Sequence, residues 1–192
     1  MAAATASLAA YLFLSVLSQP LISGNAEGAD RGTFVSSLSP GFDRPARVVD
    51  YADGATATLI KWVGNGGPVS LTVTGVEMSP SYWVGLITIA DARAGVVAGP
   101  DPCCNVDEQA TWAAPSFRPI QLGPSKQAPV VLHILMSHCE YNSPGGTASI
   151  DSIRIHYSVL GFPHVQDVHL NTLFAVKSPD ACPRSGPSRP SG

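Results

Sequence analysis

The chain of 192 residues suits one domain with appendages, and its 45% hydrophobic content is enough to build a core. Only 13% of the residues are charged and the formal net charge is −3, which excludes the basic footprint of a nucleic-acid binder. With 18 glycines and 17 prolines, many short elements joined by turns are favoured over long helices, and all-β is the class that follows.

In chain order, the first feature is apolar. No charged side chain occurs from Met1 to Ile22, and the stretch SLAAYLFLSVLSQPLI is strongly hydrophobic. Ala6 to Leu17 fits the apolar region of a signal peptide, with Gly24 and Ala26 as small residues before a cleavage site. Residues 2 to 22 also reach the roughly 20 needed to span a bilayer. No Lys or Arg precedes the block, and Pro20 interrupts it. A helix apolar on all sides at a chain end is seldom simply core. Residues 1–26 are therefore read as a signal peptide or N-terminal membrane anchor, an apolar helix. The protein is then extracytoplasmic, secreted or anchored in the cell membrane. Residues 24–32, GNAEGADRG, read as a flexible polar stretch that opens a linker over 27–45.

From Ala46 onward the chain reads as strands separated by turn residues. The candidates are Ala46 to Tyr51, Thr56 to Val63, Pro68 to Met78, Tyr82 to Ala90, Phe117 to Leu122, Pro129 to His138, Ile150 to Leu160, and Val165 to Val176 with a break near Asn171. Asp53-Gly54, Gly64 to Gly67, Gly123-Pro124 and Ser143 to Gly146 separate them. Ile153, Ile155, Tyr157 and Val159 alternate with Arg154, His156 and Ser158, the mark of a strand with one buried and one wet face. Gly161-Phe162-Pro163 then turns the chain into a second strand. In PVVLHILMSH, Val130, Leu132, Ile134 and Met136 share an apolar face. Gly75 shifts the parity of VSLTVTGVE, which predicts a bulge. One helical turn is expected around Val106 to Ala110. The sum is an antiparallel immunoglobulin-like β-sandwich of seven to eight strands over 46–182, with an up-and-down barrel as the alternative. Residues 183–192, rich in Pro, Ser and Gly, read as a disordered tail.

Three phrases carry a resemblance. VGNGGPVSLTVTGVEM resembles the N-x-G-x-x-x-[LV]-x-[LV]-x-x-[VI] opening of exported immunoglobulin-like modules. These include the family named after spindle, sperm-flagellar and hydin proteins and a set of actinobacterial exported proteins. LGPSKQAPVVLHILMSHCE is similar to a second phrase of such modules, and IDSIRIHYSVLG with QDVHL to the closing hairpin of the actinobacterial set. The resemblance spans about Ala46 to Val176 and implies a sandwich with an extracytoplasmic address, without an activity. Gly66-Gly67-Pro68 after the turn Asn departs from the pattern.

The four cysteines, Cys103, Cys104, Cys139 and Cys182, are an even count and read as disulfides in an exported chain. Cys103 and Cys104 either form a strained vicinal bridge, freeing Cys139 to meet Cys182, or each reach a distant partner. With Cys103 and Cys104 swung toward Cys139 and Cys182, the loop 99–115 and the tail should both pack near the end of the Pro129 to His138 strand. Cys103, Cys104, His138 and Cys139 are the alternative metal set, suited to Zn²⁺ or Cu(I), although adjacent ligands chelate poorly. His133, His156, His164 and His169 read as strand-face histidines. Asp107-Glu108 lacks the D-x-D-x-D pattern of a Ca²⁺ loop. Tyr82, Trp83 and Trp112 read as packing before they read as a sugar platform. No G-x-S-x-G, H-E-x-x-H or P-loop occurs.

The expected function is that of a non-catalytic module without a cofactor, presenting loops or sheet edges to an envelope protein or cell-wall component. Nucleic acid is not an expected partner, and the membrane is one only through the N-terminal segment if it stays uncleaved. An extracytoplasmic metal-binding or enzymatic protein using the Cys/His cluster is the alternative.

Overall fold

Side chains that alternate apolar and polar can be satisfied only if each strand lays one face on a shared core. In the computed structural model, which describes residues 19–30, 32–35, 44–79, 86–98, 105–141 and 143–182, two sheets do so. The described strands are β1 (Leu21–Ala29), β2 (Thr33–Val35), β3 (Ala46–Asp50), β4 (Thr56–Asn65), β5 (Leu71–Met78), β6 (Ile87–Ala94), β7 (Val96–Val97), β8 (Val106–Asp107), β9 (Ile120–Leu122), β10 (Gln127–Met136), β11 (Thr147–Val159) and β12 (Phe162–Lys177). One sheet has the order β1-β4-β10-β6 and the other β2-β3-β12-β11-β5-β9, with β7-β8 a small ribbon. The sheets share a single core cluster containing Leu59, Val63, Leu132 and Ile134 from one and Val73, Ile153, Ile155 and Phe174 from the other. Two separate sheets replace the closed barrel. The pairing is antiparallel except that β12 runs parallel to β3.

The alternating phrases behave as their periodicity requires. Ile153, Ile155, Tyr157 and Val159 are buried, while Arg154, His156 and Ser158 are partly exposed. Burying such side chains is worth about 1.5–3 kcal/mol each. Val130, Leu132, Ile134 and Met136 all enter the core cluster. The bulge lies at Thr74, because Tyr157 pairs with Val73 and His156 with Gly75. The expected helical turn is α1 (Glu108–Trp112), capped by Asp107, whose side chain accepts from the Ala110 amide.

Two departures matter for the site. The stretch read as a flexible linker from residue 24 is strand: β1 pairs with β4 over 21–23 and 27–29, on either side of a bulge, and β2 pairs with β3. No helix among the described residues is long and apolar enough to cross a membrane, and residues 1–18 of the expected apolar helix lie outside the described residues. The expected tail 183–192 and the first residues, 82–85, of the expected Tyr82 to Ala90 strand also lie outside them. The expected break at Asn171 is a large irregularity within a continuous β12: Ile150 pairs with Phe174 and Ser152 with His169, so Asp151 alone opposes residues 170–173.

Candidate functional site

The inward phase of β4 is occupied by Ala57, Leu59, Lys61 and Val63, and Lys61 is fully buried. A lone ammonium there would be prohibitively costly, so it must be paired and hydrogen-bonded. The partners come from β1. Ser23 registers with Val63 and Glu27 with Lys61, which turns both side chains toward the core. Lys61 Nζ donates to Glu27 Oε2 at 2.9 Å and to Ser23 Oγ at 2.6 Å.

The opposite sheet completes the cluster. The β12 irregularity frees the amides of Asn171 and Thr172 from the ladder, and both donate to Glu27, at 2.9 and 3.1 Å. Ser23 Oγ donates to Asn171 Oδ1 at 2.7 Å, and Asn171 Nδ2 donates to the Gly24 carbonyl at 2.9 Å. Residues 24–26 bulge over Trp62, where Gly24 approaches so closely that a Cβ would lie 2.6 Å from the Trp62 carbonyl oxygen. Leu21 is fixed by two bonds to the Gln166 side chain.

A serine beside a lysine is also the hardware of some hydrolases. Here Lys61 donates its protons to Ser23 and Glu27, and the Ser23 proton is directed to Asn171, away from the amine. The adjoining cavity, lined by Glu27, Leu59, Thr172 and Phe174, measures about 30 Å³, room for little more than a water. The cluster is a clasp between sheets.

At the far end of β10, Cys139 and Cys182 form a disulfide with Cα atoms 5.8 Å apart. This tethers the tail to the end of that strand, as expected. It overturns the connectivity in which Cys103 and Cys104 bridge to these two, and it removes Cys139 from the metal set, since a disulfide sulfur is not a thiolate. Cys103 and Cys104 lie outside the described residues, and His138 pairs with Glu140 at 3.1 Å. The amide of Glu140 itself and the His138 ring hold that carboxyl below its ordinary value. Beside it, burial and the Asp53 carboxylate push Tyr51 up to about 12.

The outer faces carry the remaining polar groups. Arg154 holds Asp167 through two bonds, with Ser79 donating to the same carboxylate, and Glu77 meets His156 at 3.1 Å. The Arg154 bonds hold Asp167 below the usual carboxylate range. Trp112 stacks on His133 with Arg93 above it, which makes it packing, while Tyr82 and Trp83 lie outside the described residues. No two strand histidines oppose each other: His133 pairs with Thr58 and Asp91, His156 with Val165, His164 with Tyr157 and His169 with Ser152. His164 stacks on Tyr157. Among the described residues, no three His, Cys, Asp or Glu side chains gather as a metal site. An open groove of about 460 Å³ runs between β5 and β6, lined by Glu77, Met78, Ile89, Asp91, Arg93 and Phe117 among others.

Sequence reasoning missed Lys61, Ser23, Glu27 and Asn171. One signal was available, a lysine on the inward phase of TATLIKWV.

No protein-family model and no curated protein matches the chain. Among solved structures, the Vibrio cholerae VesB protease is 8% identical, with 77% of this chain and 32% of that one covered and a TM-score of 0.33. The apo PCuAC domain from PmoF1 is 15% identical, covering 63% and 84%, with a TM-score of 0.31. The ASH/PapD-like domain 7 of human CEP192 is 13% identical, covering 79% and 100%, with a TM-score of 0.28. The chain spans about a third of the VesB chain. At these scores no role is carried over.

Proposed function

We propose that this chain is an exported, non-catalytic β-sandwich module of immunoglobulin-like type. It is secreted or held at the membrane by the apolar segment before β1, and it binds a protein or cell-wall component at the cell envelope. The observation that carries the reading is the Cys139–Cys182 disulfide, because thiols in a reducing cytosol stay reduced. Support for a non-catalytic role comes from commitment of the reactive groups: Ser23, Lys61 and Glu27 bind one another, and Cys139 is oxidised. The antiparallel hairpins and two sheets on one core support the immunoglobulin-like type. Recognition through an edge strand, such as β9 or β6, each last in its sheet among the described residues, fits the architecture.

Fractionation with a C-terminal tag tests this, together with thiol titration of denatured, unreduced protein. The tag should leave the cytoplasm, and Cys139 and Cys182 should not react. Cytosolic protein with both thiols free would overturn it.

A further inference from the structure

We infer that the end of the sandwich carrying the β11–β12 turn faces a lipid bilayer, with Leu160 and Phe162 entering its interfacial layer. This rests on the proposed attachment through the apolar segment before β1. Strand register assembles the end. Leu21 pairs with Asn65, whose side chain donates to the Val69 and Leu122 carbonyls; Leu71 pairs with Leu122 and with Val159, and Val159 with Phe162. The turns 66–70, 123–126 and 160–161 therefore gather where the chain enters β1.

Three observations point to lipid. Leu160 and Phe162 are 62% and 65% exposed, with Val165 and Ile22 also exposed on the same end. Leu160 holds φ 52° and Gly161 φ 86° in a two-residue hairpin loop, where Asn-Gly is the relaxed choice. A leucine there strains its backbone and gains no burial within the chain.

Charge is the second observation. Residues 19–23, 64–72, 121–127 and 158–165 contain no Asp or Glu and a single charged side chain, Lys126. The opposite end, where the Tyr51 amide bonds to the Lys177 carbonyl and the Gly54 amide to that of Met136, carries Asp50, Asp53, Glu140 and Asp180 against Lys177 and is net acidic. An anionic lipid surface repels that end and not this one. Third, the uncharged stretch before residue 19 leads into β1 at this end. Anchoring by that stretch brings Leu160 and Phe162 to the depth where amphipathic and aromatic groups partition.

The test uses the full chain reconstituted in phosphatidylcholine vesicles with phosphatidylglycerol, with and without dibrominated lipid. Phe162→Trp reports on the tip and Asp53→Trp on the far end, each read as emission added over wild type. Dibrominated lipid should quench F162W about twofold and leave D53W unchanged, since the tip sits about 5–10 Å into the interface. Leu160→Asn, which relaxes the turn, should leave the fold intact and reduce quenching of F162W. A chain that floats with vesicles but quenches F162W no more than D53W overturns the inference and spares the anchored reading. A chain that does not float overturns both. Blue-shifted F162W emission without lipid, which means that protein covers the tip, overturns it too.

Discussion

Lys61 and Glu27 pair across neighbouring strands of one sheet at 2.9 Å, on its inward face, with side chains 0% and 9% exposed. Glu27 also takes the two amides released by the β12 irregularity, so one carboxylate joins β1, β4 and β12. Removing one partner strands a buried charge, at about 3–5 kcal/mol, whereas removing both charges is far milder. Lys61→Met should therefore destabilise severely, and the double variant Lys61→Met with Glu27→Gln should recover much of the loss. Urea unfolding of the four-member cycle measures the coupling. A cost below about 1 kcal/mol for K61M would refute the clasp, being the size of an exposed pair.

Close approach of β1 to β4 depends on Gly24. A Cβ there meets the Trp62 backbone, whereas one at Gly28 meets nothing within 4 Å. Gly24→Ala should cost about 1–3 kcal/mol through forced displacement. Gly28→Ala should be close to neutral. Thermal melts of the two variants provide the comparison, and equal effects would show that β1 does not depend on this approach.

The Cys139–Cys182 bridge closes a loop with a sequence separation of 43. Chain entropy puts its contribution at about 4 kcal/mol, near the top of the usual range. Cys139→Ser should lower the melting temperature by about 10 °C for a domain of this size. Calorimetry with and without reductant checks it: reductant should move the wild type toward the variant.

Asp167 titrates below its ordinary value because Arg154, and then Ser79, bond its charged form. The stability from this pair is present above the unfolded aspartate value of about 3.9 and is lost as pH falls through the lower folded value. Asp167→Asn should be less stable than wild type near neutral pH. The gap should close at the acid extreme when urea midpoints are compared across pH 2 to 6. A gap that widens on acidification would reverse the assignment.

The sequence made the central strands legible because their side chains alternate without interruption. β10 and β11 follow their predicted faces, and the bulge beside Gly75 follows from a change of parity. β1 was not legible. GNAEGA has no β-branched or aromatic residue, so its strand state comes from partners far along the chain: β4, Gln166 and the Asn171 bulge. Lys61 was the visible half of that arrangement, and its phase implied a missing carboxylate without saying where it lay. The parallel pairing of β3 with β12 joins distant segments and leaves no local trace.

The central claim is that Leu21–Ala29 belongs to the folded module as a strand, with Ser23 and Glu27 closing the core over Lys61. Any leader must then end before Leu21, because processing after Ala26 would remove Ser23 and the Leu21–Gln166 bonds. N-terminal sequencing of the protein from the extracytoplasmic or membrane fraction tests this most directly. The account predicts a first residue at or before Leu21, whether by cleavage upstream or by retention of the segment. A folded protein that begins at Glu27 would contradict it.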